Sequence, residues 1–405
     1  RRIERDADRN VIGIIEERAA QPGDTVVLTL DKEIQRVAAQ ALAAQIKWLN
    51  DPKNTREGEG REANAGAVAV IDLKNSALVA AVTYPSYNLE TYSADYAKNA
   101  ADPLYPFLNR AFSGIYAPGS CFKPTTAVAG LAAGVITPQS IVNCQRVYTF
   151  YPDYQPTCLS YHGNFTVVDA LRHSCNVFFY DTGRQLSIEI LNRTAHSLGL
   201  GVPTGIELSE ATGIQSDPNT KNPGDVLQTA IGQLGNGYTP IQLANYTATL
   251  ARNGERRRLT LIQSESSYYD WQKVLSKTVP AVEEVMDVPA DIFQTVREGM
   301  VQASHDPRGT AYRYLGDYPI KVASKTGTPQ THEYPNSTFI CYAPADDPQI
   351  AIAVVIEKGW HGYTGAPVAR AILDAWFFPQ GQGFEAQESQ VSSPASTPVA
   401  APQGH

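Results

Sequence analysis

Residues 117–126 read APGSCFKPTT, and the proline in this stretch limits what the chain around it can fold into. Inside a helix, the ring of Pro124 would clash with the carbonyl four residues back, that of Ser120, and would leave that carbonyl without its bond. The conflict vanishes if Ser120 lies in the first turn, approached through the non-helical Pro118-Gly119. The sequence therefore predicts a helix that begins at Ser120, with the serine at its N-terminal tip. Free N–H groups and the positive end of the helix dipole there can stabilise a developing oxyanion. Lys123, three residues on, shares a helical face with Ser120, which sets its amine beside the hydroxyl. A serine needs a base to become a nucleophile, and lysine serves as one only when neutral. Burial or a neighbouring cation lowers its pKa.

A lone S-x-x-K arises about once by chance in a chain this long, so the motif needs company. Two further fragments supply it. RHSCNVFFY contains Ser174-Cys175-Asn176, and KVASKTGTPQ contains Lys325-Thr326-Gly327-Thr328. Either could be a plain turn or strand end, but all three in this order are improbable by chance. Val322 and Ser324 continue an alternating strand into Lys325, and Gly327 leaves room for a substrate backbone to lie close, as in strand addition to a sheet edge.

The rest of the chain sets bounds. Its 405 residues suit one large domain with appendages, or two domains, and 43% apolar residues suit an ordinary globular core. A net charge of −8 without a long basic run excludes nucleic acid as a partner, and Arg256-Arg257-Arg258 reads as a solvated turn. No apolar run reaches the ~18–20 residues that span a bilayer. The chain begins at Arg1 inside a charged, irregular stretch, so residues 1–24 read as the remnant of an upstream region and are silent about a membrane anchor. Residues 25–380 form the main domain, and 381–405, rich in Pro, Ser, Ala and Gln, a disordered tail.

Within the main domain a strand is expected at Val26–Leu30. Asp31 then caps a helix with Ile34, Val37, Ala38, Ala41 and Leu42 on one face. A polar loop is expected over 47–65, a hairpin of Gly66–Ile71 and Leu78–Thr83, and irregular chain over 84–116. Further helices are read at Pro240–Arg252 and Asp291–Ala303, and late strands at Ser337–Tyr342 and Gln349–Glu357. The mixed order argues for an α+β fold.

S-x-x-K, S-x-N and K-T-G together mark penicillin-binding proteins and serine β-lactamases, and the chain resembles the class B penicillin-binding proteins. The resemblance covers roughly 1–375 and includes VVLTLDKEIQRVAAQAL, TGIELSEATG, TAIGQLGNGYTPIQLANYTATLARNG and TFICYAPADDPQIAIAVVIEKG. The 151 positions from Ser174 to Lys325 resemble these proteins better than the compact β-lactamases. The resemblance implies an antiparallel sheet flanked by helices and a peptidoglycan D,D-transpeptidase with no cofactor for its chemistry. It makes Ser120 the nucleophile and Lys123 its base. Ser174 relays a proton, and Asn176 binds substrate amide and orients Lys123. Lys325, Thr326 and Thr328 hold the substrate carboxylate, with Gly327 between them, and the N–H groups of Ser120 and Thr328 form the oxyanion hole. Implied partners are stem peptides, β-lactam antibiotics, a membrane glycosyltransferase and a wall-synthesis complex. The implied place is the extracytoplasmic face of the bacterial cytoplasmic membrane, with the anchor outside this chain.

Rival readings on the same fold are a β-lactam-hydrolysing enzyme and a β-lactam sensor. The first needs an extra base, and Glu207 and Glu210 sit in a segment that resembles a structural one.

Three of five cysteines, Cys144, Cys158 and Cys175, fall near His162. Three thiolates and an imidazole make a closed tetrahedral set suited to structural zinc. Similar elongation-type transpeptidases carry zinc here, with Asp in place of Cys144 and Cys158. A Cys144–Cys158 disulfide or free buried thiols are the alternatives. His173 is a substitute ligand, expected to point away from Cys175, and Cys121 and Cys341 read as small core residues.

Overall fold

The segment Ile350–Ile356 reads IAIAVVI, and all seven residues are buried. Alternate side chains leave a strand on opposite faces, so this pattern gives one face of Ile and Val and another that starts with Ala351 and Ala353. The whole domain is layered on that difference.

The computed structural model describes residues 2–16, 20, 22–54 and 60–379. Five strands form one antiparallel sheet: β1 (Gly66–Asp72), β2 (Ala77–Tyr84), β3 (Ala323–Gly327), β4 (Ser337–Ala343) and β5 (Ile350–Ile356), in the order β3-β4-β5-β1-β2. Helices used below are α1 (Lys32–Asn50), α2 (Tyr92–Ala101), α3 (Lys123–Ala132), α4 (Val167–His173), α5 (Asn176–Gln185), α6 (Pro240–Ala251), α7 (Ala290–His305) and α8 (Ala366–Phe377). On the face carrying Val68, Val70, Ile350, Ile352 and Val354, α1 and α8 supply Ile34, Leu42 and Ile372. The opposite face carries Ala67, Ala69, Ala351 and Ala353, whose small side chains let α6 approach closely. All twelve residues of α6 are buried, and a Thr239–Gln242 capping box satisfies its first N–H groups.

The expected α+β fold, an antiparallel sheet between helical layers, is the one observed. Strand β3 lies at the sheet edge, with α7 and the turn before α3 packed against it.

Several local expectations need correcting. Residues 2–16 are not irregular: Arg2–Arg5 pairs with Val11–Glu16 as an antiparallel hairpin. The strand expected at Val26–Leu30 is Thr25–Leu28, and α1 runs on to Asn50, past the expected loop start. The stretch 84–116 contains α2 and a helical turn at Arg110–Ser113. Arg256 and Arg257 lie in the short strand Glu255–Arg257 rather than in a solvated turn, and pair with Glu284 and Glu255. The reading of 381–405 lies outside the described residues. Among the described residues, no helix is long and apolar enough to cross a membrane.

Candidate active site

Ser120 does not open an α-helix directly. Gly119–Phe122 form a 3-10 turn, and α3 starts at Lys123 with Pro124 in its first turn. The tighter turn resolves the proline problem differently from expected: the Ser120 carbonyl accepts from the N–H of Lys123, three residues on, and needs nothing from Pro124. The turn is fixed by close backbone approaches. Gly119 has φ +53°, and its N–H donates to Gly232 O at 3.0 Å. A Cβ on Gly232 would lie 2.1 Å from Gly119 O, so only glycine fits there.

Ser174 ends α4 in the left-handed region, at φ 58°, and Asn176 begins α5. The S-x-N motif is thus the corner between two helices, and the corner aims its side chains at Lys123. The wholly buried Lys123 amine donates to Ser174 O at 2.7 Å, Asn176 Oδ1 at 2.7 Å and Ser174 Oγ at 3.2 Å. Lys325, equally buried, donates to the same Ser174 Oγ at 3.0 Å and to Thr326 O at 3.0 Å. One hydroxyl oxygen therefore accepts from two amines, which leaves its own proton available to donate elsewhere. Lys123 does not bond to Ser120 as the shared helical face implied. The partly exposed Ser120 hydroxyl has no hydrogen-bond partner among the described residues.

Burial is the main cause that lowers the Lys123 pKa, to about 8, against a smaller upward pull from the nearby cysteines. Burial also lowers Lys325, to about 7, helped by the charge of Lys123. Two ammonium groups meeting at one oxygen in a dry site resist being charged together, so the pair holds a neutral amine near neutral pH.

Two expectations about side chains change. A Cβ on Gly327 would meet Pro118 O at 2.4 Å and Cys121 Sγ at 3.0 Å, so this glycine makes room for the serine's turn rather than for substrate. Asn176 is less free than expected for a substrate amide: its Nδ2 donates to Thr157 O at 3.3 Å. Thr328 Oγ1 accepts from Gly362 N–H at 3.0 Å, and Thr326 Oγ1 bonds Thr310 Oγ1 at 3.0 Å. Thr310 and Gly232 were missed in the sequence. Thr310 carries no motif, whereas the glycine-rich IGQLGNG around Gly232 was a usable signal.

Cys144, Cys158, His162 and Cys175 converge as anticipated, with all four ligand atoms within 4.8 Å of one another. Cys158 Sγ lies 3.6 Å from His162 Nδ1, matching the ~3.5 Å edge of a tetrahedron with ordinary Zn–S and Zn–N bonds. All five cysteines are free thiols, so no Cys144–Cys158 disulfide forms, and Cys121 and Cys341 are buried. His173 stands outside the set, its ring centroid 5.7 Å from that of His162 and stacked on Phe165 at 4.8 Å. The Cys158 thiol is pulled well below its usual range, chiefly by a hydrogen bond from Cys175, with His162 and the Asn176 N–H adding to it. That N–H reaches Cys158 Sγ at 3.2 Å, tying the cluster to the lysine's partner.

Glu207 accepts from Leu261 N–H and Thr260 Oγ1, while Glu210 accepts from the N–H groups of Thr204 and Gly205. Both glutamates serve to pin loops.

The family model "Penicillin binding protein transpeptidase domain" matches residues 66–375. The chain is 28% identical to the peptidoglycan D,D-transpeptidase MrdA of Salmonella typhimurium over 93% of its own length. It spans 63% of the length of that relative. Among solved structures it is similar to Pseudomonas aeruginosa PBP2 in complex with WCK 5153 (TM-score 0.77, 29% identity, 91% of this chain and 82% of that one). It is also similar to a chain of a peptidoglycan synthase complex described as coordinating polymerization and crosslinking (TM-score 0.79, 27% identity, 94% of this chain and 67% of that one).

Proposed function

We propose, because the chain belongs to the penicillin-binding protein transpeptidase family, that it cross-links peptidoglycan stem peptides through an acyl-enzyme on Ser120. The observation that carries this reading is the single Ser174 oxygen held by two buried lysine amines, with a free serine hydroxyl at the neighbouring turn. In this scheme a substrate carboxylate docks against Lys325 with Thr326 and Thr328 and keeps that amine charged. The charge of Lys325 then leaves Lys123 as the neutral partner. Lys123 takes the Ser120 proton as Oγ bonds to the carbonyl carbon of the penultimate D-Ala. The Ser120 and Thr328 N–H groups, neither of which bonds a backbone carbonyl among the described residues, face the oxyanion. When the peptide C–N bond breaks, Ser174 passes its proton to the departing D-Ala amine and regains one from Lys123. The amine of a second peptide next attacks the ester, forms the cross-link and restores Ser120. β-Lactams enter by the same route and stay attached.

Intact-mass measurement with penicillin tests this. One adduct per chain that forms in a burst and persists for many minutes is the expected result. Sustained turnover of penicillin instead points to a hydrolysing enzyme and overturns the proposal.

The donor set suits zinc, and Cys144, Cys158, His162 and Cys175 would hold it. Bound there, zinc supplies no chemistry beyond closing the loop that carries Cys144 and Cys158 onto the corner between α4 and α5. The residues of that corner do the rest: Asn176 donates its backbone N–H to Cys158 Sγ and presents Oδ1 to Lys123. Protein purified without added metal should carry about one zinc. Its removal should lower the melting midpoint by at least about 5 °C and slow β-lactam labelling together. Less than about half an equivalent of zinc defeats this part of the reading.

A peptidoglycan cross-linker acts where the wall is built. We therefore place this domain on the extracytoplasmic face of the bacterial cytoplasmic membrane, held by an anchor outside the chain. The similarity to MrdA and to the synthase complex supports an elongation-type role beside a membrane glycosyltransferase.

A further inference from the structure

The end of α7 touches both motifs that meet at Ser174 Oγ. On one side lies α4, the helix that ends at Ser174. Leu171 of α4 packs on Gly299 of α7, where a Cβ would come within 2.6 Å of the leucine Cβ. Arg172, two residues before Ser174, is 7% exposed. One of its guanidinium nitrogens donates to Gln302 Oε1 at 3.0 Å and to Asp306 Oδ2 at 3.1 Å. A guanidinium this shielded must keep such partners, because its charge is costly to leave unpaired there. On the other side lies β3, which carries Lys325 at the sheet edge. Ser304 Oγ and Ser324 Oγ, both fully buried, are 2.7 Å apart. The N–H of Val322, just before the strand, donates to His305 Nε2 at 2.9 Å. With the Thr326–Thr310 bond, alternate residues 322, 324 and 326 are each tied to the stretch 304–310. An edge strand has no neighbouring strand on that flank, so side chains fix it instead.

The stretch between these two arms is folded back on its own helix. The Gly309 N–H donates to Asp306 O at 2.7 Å, and the Ala311 N–H to Ala303 O at 2.9 Å. A Cβ on Gly309 would lie 2.4 Å from both Gln302 O and Ala303 O, so the turn has no slack. The contacts close a ring. It runs from Ser174 Oγ to Lys325, along β3 to Ser324, across to Ser304, through the end of α7 to Asp306, and by Arg172 back along α4.

We infer that the end of α7 is a bracket that sets the distance between Ser174 and Lys325, with Arg172 and His305 as its two positioning residues. The inference rests on the acyl-transfer reading, in which neither residue touches substrate. The bracket bears unequally on the two steps of acylation. Lys325, Thr326 and Thr328, which hold the substrate carboxylate in that reading, all follow β3 and move as one, so docking survives a small shift of the strand. Proton transfer does not survive it, because Ser174 Oγ belongs to the other arm. A misplacement of about 1 Å at such a junction can cost about 100-fold in rate.

The test follows acylation of the intact chain by a chromogenic cephalosporin, resolving the dissociation constant of the first complex from the acylation rate constant. His305→Leu leaves the Val322 N–H without its acceptor. It should slow acylation at least about tenfold and move the dissociation constant less than about twofold. His305→Gln, whose side-chain oxygen reaches the place of Nε2, should restore the rate to within about threefold of the unaltered chain. Arg172→Met cuts the other arm and should give the same split. The double variant, His305→Leu with Arg172→Met, should be no more than about threefold slower than the worse single one, because a bracket open at one arm is already open. Melting curves check folding. Should either single variant unfold, Ser324→Ala, which removes one hydroxyl from the strand arm, must show the split. Rate and affinity that fall together in a folded variant overturn the inference. So do His305→Gln as slow as His305→Leu, and losses that multiply in the double variant. β-Lactam labelling of the unaltered chain separates the two readings. Labelling without the split sinks only the bracket, and absence of labelling sinks the acyl-transfer reading and the bracket with it.

Discussion

Ser120→Ala is expected to abolish the covalent β-lactam adduct, leaving the intact mass unchanged after prolonged exposure. The hydroxyls of the other two motifs are engaged: Ser174 Oγ accepts from two amines, Thr326 bonds Thr310 and Thr328 is held by Gly362. None of them is both unbonded and set at the turn beside free N–H groups, so none can replace the lost oxygen. The substitution should cost little stability. Among the described residues the Ser120 side chain makes no hydrogen bond, and removing one partly exposed hydroxyl changes stability by about 0.5 kcal/mol or less. A melting midpoint close to that of the unaltered chain, with no adduct, is the expected pair of results. An adduct that persists in the alanine variant would place the nucleophile elsewhere and dismantle the scheme.

Lys123→Met should slow acylation by about 10³-fold, within the range of a lost general base. Methionine roughly fills the volume, so the measurement reports on the amine and not on a cavity. The pH dependence gives the sharper test. Burial disfavours the ammonium form, so the Lys123 pKa is lowered to about 8, and the neutral base accumulates as pH rises through that value. The Lys325 pKa is lowered to about 7, so its charge, needed for the substrate carboxylate, is lost as pH rises. The acylation rate constant should therefore be bell-shaped, with a maximum near pH 7.5, midway between two values that belong to the pair rather than to either residue. In Lys123→Met the rising limb should vanish while the falling limb remains. A rising limb that survives in the variant rules out Lys123 as the base.

Much of the site was legible because its chemistry sits in short motifs. Three fragments named eight residues, and the fold brings both lysine amines to hydrogen-bonding distance of Ser174 Oγ. The cysteine–histidine set was legible from residue type alone. What escaped was whatever depends on backbone approach between distant segments. The role of Gly327 was misread because the sequence cannot show that Pro118 O lies behind it. Thr310 gave no signal because its only claim is a hydroxyl contact across sixteen positions. The 3-10 turn at Gly119–Phe122 escaped for a related reason: Pro124 excludes one helical geometry but does not choose among the remaining ones. Helix α2 was read as irregular because its large apolar residues are aromatic and none of its residues is buried, so no buried stripe marks its period.

The contact at Gly327 reaches beyond acylation. A methyl there would strike a main-chain oxygen on the turn side, and one on Gly362 would come within 2.4 Å of the Gly327 nitrogen. The seam between the Gly119–Phe122 turn and strand β3 is therefore largely backbone against backbone, with the buried Cys121 side chain beside it. A substitution at either glycine is expected to displace the turn that carries Ser120.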